Sequence, residues 1–165
     1  MKKAIILFTL CIILGSTTVT AADFGTWDAI YLAPQSWDAV NYNIYHNARF
    51  GYAVAFPNYL SQYGELPANN DGITLKTGEE TTLYIWGSYN VLDETPESLL
   101  NDDSAFDIFM SEDSLSYYRI DGDIEAFRFQ KIGSIIFSFQ LEYPKTEHEQ
   151  YREIIDVMLD NIVMP

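Results

Sequence analysis

The chain has little cysteine and little positive charge. Its 165 residues include one cysteine, and nine Lys and Arg stand against 24 Asp and Glu, for a formal net charge of −15 at pH 7. A field of this sign repels nucleic acid and anionic lipid, so the composition excludes a nucleic-acid-binding protein and favours a soluble acidic one. The same charge would steer the chain toward a basic partner.

Long hydrophobic runs are also missing, apart from a short one at the N-terminus. Lys2 and Lys3 precede an apolar run of 11 residues, 4–14, which is shorter than the ~20 residues needed to span a bilayer. This is typical of a secretory signal peptide, residues 1–22, cleaved after Ala22 or alternatively after Ala21. We expect an exported protein, periplasmic or extracellular, with no stable membrane anchor after cleavage.

Cleavage would remove the only cysteine, Cys11. The letters "FTLC" lack the small residue that precedes the cysteine of a lipoprotein signal. The mature chain would therefore have no disulfide, no thiol nucleophile and no cysteine metal ligand. Loss of Lys2 and Lys3 leaves seven basic residues against 24 acidic ones, a formal charge of −17. The 143 remaining residues suit one domain with one core.

Two regions follow the signal peptide. Residues 23–41 contain the tetrads "WDAI" and, ten residues later, "WDAV". Two copies of four residues are too few for a repeat architecture, so the similarity is either chance or the mark of an arm that displays two indoles. We interpret residues 23–41 as an N-terminal arm and residues 42–165 as a single α+β domain.

Alternating side chains predict a mainly antiparallel sheet. The stretch "RFGYAVAF", residues 49–56, alternates large with small residues, and Pro57 should end that strand. We expect the large side chains to fill the core and the C-terminal helix to lie over the small ones. Further strands are predicted at 42–46, 73–76, 81–88, 114–120, 123–130 and 134–142, with turns at "TGEE" and "DG".

One of these strands is apolar on both sides. The stretch "TLYIWG", residues 82–87, has large side chains at every position but its ends. Such a strand is usually central and covered on both faces, either by helices above and below or by one helix layer and a loop.

Three helical segments are predicted. A helical turn is expected at 58–63, and Thr95 with Pro96 should begin a helix whose stripe includes Leu99, Phe106 and Met110. A capping box of Thr146 and Glu149 should begin the last helix, which is amphipathic. The apolar positions of that helix are Tyr151, Ile154, Ile155, Met158, Leu159 and Ile162. The fold class is therefore α+β, a mainly antiparallel sheet with packed helices and a C-terminal amphipathic helix.

The order of elements resembles the PsbP-like superfamily. "NARFGYAVAFP", "NNDG", "LYIWGSYN", a three-stranded meander and the final helix are similar to its bacterial exported members, over residues 42–163. "AFP" stands where the family has tyrosine and proline, and only Asn70-Asp71-Gly72 of the second motif matches. The resemblance implies protein binding as a function and carries over no catalytic residues.

Motifs for catalysis and for metal or cofactor binding are absent. His148 lies in "EHEQ", which is not the zinc-binding arrangement of two histidines, and no phosphate-binding glycine loop or nucleophile elbow occurs. We predict no catalytic residue, cofactor or metal ligand. A loose calcium site of Asp121, Asp123 and Glu125 is left open, as is a small hydrolase or metal-dependent enzyme that uses His46 or His148 with carboxylates.

The aromatic residues then carry the functional prediction. Twelve tyrosines and three tryptophans supply contact area at low entropic cost. Most should fill the core, but those at strand ends beside the "NNDG" loop can face a partner. We expect a non-enzymatic domain that binds an unidentified protein in the bacterial envelope. The predicted partner-binding residues are Asn70, Asp71, Trp86, Tyr89 and Asn90.

Overall fold

The computed structural model describes residues 29–32, 41–64, 69–78 and 80–165. The predicted signal peptide, with both cleavage positions, and the two tryptophans of the N-terminal arm lie outside these residues. The arm contributes one described strand, Ala29–Leu32, which pairs with the first strand of the domain.

The described residues form eleven strands and two α-helices. The strands are β1 (Ala29–Leu32), β2 (Tyr42–His46), β3 (Ala53–Pro57), β4 (Gln62–Tyr63), β5 (Gly72–Thr77), β6 (Thr81–Tyr89), β7 (Phe106–Met110), β8 (Ser114–Asp121), β9 (Ile124–Ile132), β10 (Ile135–Pro144) and β11 (Ile162–Val163). The helices are α1 (Pro96–Leu99) and α2 (His148–Asp160), and a 3-10 turn, Lys145–Glu147, precedes α2.

The strands form two antiparallel sheets. One has the order β1-β2-β3-β11, and the other has the order β4-β5-β6-β10-β9-β8-β7. The antiparallel sheet and the C-terminal helix agree with the predicted fold class. The expected packed helices were an overstatement, because α1 has four residues and only α2, with 13, is a substantial helix.

The core lies between the two sheets and α2. The ring of Tyr52 is 4.8 Å from that of Phe137 on β10, and Tyr151 of α2 stacks on Tyr143 at 4.4 Å. The large residues of "RFGYAVAF" are buried as predicted. The predicted buried positions of α2 are also confirmed for Tyr151, Ile154, Ile155 and Met158.

The strand predicted at 49–56 begins later than expected. Residues 48–50 form a turn, in which the Phe50 amide donates to Asn47 Oδ1 and the Gly51 amide donates to the Asn47 carbonyl. Gly51 then has a positive φ of 76°. These bonds delay β3 to Ala53, and β3 includes Pro57 rather than ending before it.

The C-terminal tail also reaches the small residues of this segment. A Cβ at Gly51 would lie 3.2 Å from Cβ of Pro165. β11 pairs with β3 through Val54 and Ala53, and α2 contacts β3 as well. The tail after α2, and not the helix alone, therefore approaches the small side chains.

Three local predictions were wrong. Residues 58–63 form a turn and the short strand β4, not a helical turn. The stripe from Leu99 to Met110 is divided, because Asp102 accepts the Ser104 amide at 2.9 Å in a turn and β7 follows. The Thr146 capping box does not form, since the 3-10 turn makes Glu147 the N-cap of α2 and no side chain caps it.

The cap of α1 was predicted correctly. Thr95 Oγ1 accepts the Ser98 amide at 3.3 Å, and Ser98 Oγ accepts the Thr95 amide at 2.9 Å. This reciprocal pair supplies partners for two amides of the first turn. The two hairpins around 78–80 and 122–123 were also predicted at their observed places.

Strand β6 has different surroundings on its two faces. Leu83 and Ile85 are buried in the core, whereas Tyr84 and Trp86 on the other face are half-buried. Asp102, in the segment that carries α1, lies 4.0 Å from Arg119 on that second face.

No described helix is long and apolar enough to cross a membrane.

Candidate functional site

The segment Asn70-Asp71-Gly72 is held against the end of β6. The Asp71 carbonyl accepts the Gly87 amide at 2.8 Å and the Tyr52 hydroxyl at 3.1 Å. A Cβ at Gly72 would overlap the Ile85 carbonyl oxygen, so only glycine fits there. The predicted residues Asn70 and Asp71 are thereby placed at the rim of the core.

A buried asparagine connects this segment to the turn before β3. The side chain of Asn47 is fully buried, and its Nδ2 donates to the Asn70 carbonyl at 3.1 Å and to the Tyr45 hydroxyl at 3.0 Å. Its Oδ1 accepts the Phe50 amide at 3.0 Å. The sequence analysis missed this role of Asn47, although a polar residue between two aromatic strands was a signal for such a link.

Arg49 lies over two aromatic rings at the same rim. Its guanidinium carbon is 4.9 Å from the ring centre of Phe50 and 6.0 Å from that of Tyr89. Its Nη1 donates to the Asn69 carbonyl at 2.6 Å. Phe50 and Tyr89 meet edge to face at 5.1 Å. These contacts orient an exposed cation and an exposed phenol side by side.

A cleft of about 310 Å³ opens beside Arg49. Ala48, Arg49, Asn69 and Asn70 line it. The described residues that line it belong to the turn before β3 and to the segment before β5.

Exposed apolar side chains continue the same rim. Tyr89 is 57% exposed, and Val91 and Leu92 in the following turn are 80% and 76% exposed. We use the name rim surface for Arg49, Asn69, Asn70, Tyr89, Val91 and Leu92. Sequence reasoning named Asn70 and Tyr89 and missed the other four, although two adjacent aliphatic residues in a predicted loop were a visible signal.

Asn90 positions this turn from within. Its Nδ2 donates to the carbonyls of Glu94 and Gly133, both at 3.1 Å, and its Oδ1 accepts the Glu94 amide at 2.8 Å. Asp93 follows with a positive φ of 53°. Asn90 is therefore a positioning residue for Val91 and Leu92.

Trp86 lies on the other face of β6. Its indole is half-buried, and the Arg128 guanidinium carbon is 5.3 Å from its centre. Successive side chains of a strand alternate between faces, so residues three apart, such as Trp86 and Tyr89, point in opposite directions. The structure thus brings Asn70, Asp71, Tyr89 and Asn90 to one rim and leaves Trp86 behind it.

The two histidines have separate environments. His148 Nδ1 lies 2.7 Å from Glu125 Oε1, and this carboxylate, only 4% exposed, also accepts the Tyr143 hydroxyl at 3.3 Å. Burial raises the pKa of the Tyr143 phenol, and the nearby Glu125 raises it further. His46, at the end of β2, is not part of this cluster.

Two acidic side chains at the turn between β8 and β9 are paired with basic residues elsewhere in the chain. Asp123 pairs with Lys145 at 2.8 Å, and Glu125 faces His148. Within the described ranges, no group of three or more His, Cys, Asp or Glu residues is arranged to hold a metal ion. The calcium site left open in the sequence therefore does not form among these residues.

Comparison of the sequence with protein-family models and with curated proteins finds no match. The structure is similar to the solution structure of cyanobacterial PsbP (CyanoP) from Synechocystis sp. PCC 6803, with a TM-score of 0.57 and 12% sequence identity. The match covers 81% of this chain and 98% of the other. The chain has a PsbP-like fold. At this identity the similarity shows the fold alone and assigns no role to the rim surface.

Proposed function

We propose that this chain is an exported, non-enzymatic domain that binds a protein partner in the bacterial envelope through the rim surface. The observation that carries the proposal is the exposed row of Tyr89, Val91 and Leu92 beside the cleft at Arg49. Apolar side chains grouped at a rim with polar neighbours are characteristic of interaction sites.

The chemistry of the rim surface supports protein binding. Tyr and Arg are enriched among residues that dominate binding free energy. Here the Tyr89 ring packs on Phe50, and Arg49 is held by the Asn69 carbonyl. Because these contacts already order the two side chains, less conformational entropy is lost when a partner binds.

The net negative charge of the chain supports fast association with a basic partner in the same function. A mature charge of −17 would accelerate encounter with a basic partner over distances up to about 8 Å at physiological salt. Short-range contacts at Tyr89 would then determine how long the complex lasts.

Export is part of the proposal because the first 22 residues have the composition of a signal peptide. The expected mature chain begins at Asp23, or at Ala22 after the alternative cleavage. Intact-mass measurement of the secreted protein tests this, and a secreted product that retains Cys11 would contradict it.

The alternative enzyme is less well supported. A histidine oriented by a carboxylate is one part of a hydrolytic site, and His148 with Glu125 has this geometry. Among the described residues, however, no Ser or Thr hydroxyl is hydrogen-bonded to His148. The pair instead connects the start of α2 to β9 and satisfies a buried carboxylate.

Affinity capture from the native envelope, followed by mass spectrometry, tests the binding function. The wild-type bait is compared with Tyr89→Ala and with Ile120→Ala, which removes an apolar side chain of similar exposure (48%) from the opposite end of the sheet. We expect a protein that the wild type and Ile120→Ala retain and that Tyr89→Ala loses. Equal capture by all three folded baits would refute the rim surface.

A further inference from the structure

The seven-stranded sheet ends in a strand with an open edge. β7 pairs with β8, and no other strand of the described residues pairs with its second side. Such an edge presents backbone amides and carbonyls in the spacing that a further strand needs. The sheet can therefore be extended at this position.

The side chains of this edge are apolar and exposed. Phe109 is 67% exposed and Ile108 is 46% exposed, whereas Phe106 is anchored by stacking on Tyr118 at 5.9 Å. The register with β8 shifts between Phe106 and Phe109, where Asp107 has a positive φ of 49°. The register with β8 is regular again at Phe109 and Met110, so the edge available to a partner is centred on these two residues.

Acidic side chains outnumber basic ones around this edge. Residues 77–118 contain ten Asp and Glu and no Lys, Arg or His. Asp102 and Asp113 are paired, with Arg119 and Lys131 respectively, at 4.0 and 2.7 Å. Asp103, Asp107 and Glu112 are exposed. Within the described part of the chain, no basic side-chain nitrogen lies within 4.0 Å of those three carboxylates.

We propose that β7 binds an extended basic segment of another protein, which adds to the seven-stranded sheet as its eighth strand. The open backbone edge selects an extended segment, the exposed Phe109 selects apolar side chains at alternate positions on its own face of the sheet, and the carboxylates without a basic partner select Lys or Arg between those positions. A second copy of this chain would bring the same carboxylates together, and this repulsion disfavours edge-to-edge dimers. The surface is separate from the rim surface.

Binding of a synthetic peptide tests the proposal. The probe is a fluorescent peptide of about eight residues that alternates Lys with Val, measured by fluorescence anisotropy against the full mature protein. One matched peptide has Glu in place of Lys, and another has its amides N-methylated at alternate residues, so that one edge cannot donate hydrogen bonds. We expect binding of the Lys-Val peptide that weakens as salt rises, and at least tenfold weaker binding of both matched peptides.

Three variants locate the site. Phe109→Ala should weaken the peptide about tenfold, and Asp107→Asn, which tolerates the positive φ, should weaken it at low salt. Tyr89→Ala should leave binding unchanged, and thermal melts should show that all variants are folded. Equal binding of the N-methylated peptide, equal loss in Tyr89→Ala, or dimers abolished by Phe109→Ala in sedimentation experiments would each overturn the proposal.

Discussion

Replacement of Gly72 by alanine tests how closely the rim segment lies against the sheet. A Cβ at this position would overlap the Ile85 carbonyl oxygen and would lie 2.8 Å from Cα of Trp86. Both atoms belong to the backbone of β6, which is paired on both sides, with β5 and β10. The obstacle cannot move as a flexible side chain would, so β5 itself must shift.

The expected cost of Gly72→Ala follows from this geometry. Overpacking in a well-packed region costs about 1 to 3 kcal/mol, and the rigid neighbours place this variant near the upper end, at about 3 kcal/mol. Alanine also restricts the unfolded chain more than glycine does, and this stabilising effect offsets only about 0.4 to 1 kcal/mol of the loss. For a domain of this size, the net loss corresponds to a Tm lowered by about 4 to 10 °C.

Denaturant unfolding of Gly72→Ala beside Gly133→Ala measures this cost. Gly133 is an exposed glycine at which a Cβ would meet only the Ile135 carbonyl at 3.8 Å, an ordinary contact. Its alanine variant should stay within about 0.5 kcal/mol of the wild type. If both variants have the same stability, Gly72 is not in close contact with β6 and the placement of Asn70 and Asp71 is wrong.

Four further outcomes are expected. Phe56→Ala should lower the free energy of unfolding by about 3 to 5 kcal/mol in denaturant titration, because the side chain is 1% exposed; a loss below 1 kcal/mol would contradict the core assignment. His148→Ala should cost about 1 to 3 kcal/mol by leaving the Glu125 carboxylate buried with fewer partners, and adding Glu125→Gln should restore part of the loss. Since the folded state raises the pKa of the Tyr143 phenol above its ordinary value near 10, the folded chain binds more protons than the unfolded one at high pH, and stability should fall as pH rises above about 10; Tyr143→Phe should make that fall less steep. In partner binding, Tyr89→Ala should speed dissociation about tenfold in a fully folded variant while added salt slows only association, and an unchanged dissociation rate would remove Tyr89 from the rim surface.

Local signals predicted the meander well because its information is local. The Asp121-Gly122 turn lies between two alternating runs, and β8 and β9 pair across it in the register that such a turn sets. The hairpin of β5 and β6 was also predicted from a local turn signal between two strands. The final helix has most of its predicted apolar stripe within its own 13 residues, so its buried side was readable from spacing alone. Ile162, the last position of the predicted stripe, lies instead in β11.

The wrong helix at 106–110 shows where local reasoning fails. Phe106 and Met110 are four residues apart and fit one side of a helix, yet both lie in β7. What decides the structure there is pairing with β8, which the hydrophobic spacing does not reveal. The lost cap at Thr146 has a similar cause, since the 3-10 turn after Pro144 shifts the N-cap by one residue, to Glu147.

The rim surface could be predicted only in part, because its contacts join distant segments. Asn47 reaches Asn70 across 23 residues, and Arg49 reaches Asn69 across 20. No spacing rule connects such pairs in a single sequence. The separation of Trp86 from Tyr89 was readable, however, because side chains three apart in a strand lie on opposite faces.

The rim surface and the β7 edge differ in chemistry, and this difference determines how a partner would distinguish them. The rim surface combines one cation, Arg49, with neutral and apolar groups, so salt should slow association through the net charge of the chain and leave the dissociation rate almost unchanged. The β7 edge combines Phe109 with unpaired carboxylates, so its affinity for a basic strand should fall as salt screens them. Four strand-to-strand steps separate β6 from β7 in the sheet order, so one small partner would not cover both. A partner that Tyr89→Ala loses and whose dissociation rate barely changes with salt therefore belongs to the rim surface. A partner that Tyr89→Ala keeps and that dissociates faster as salt rises belongs to β7.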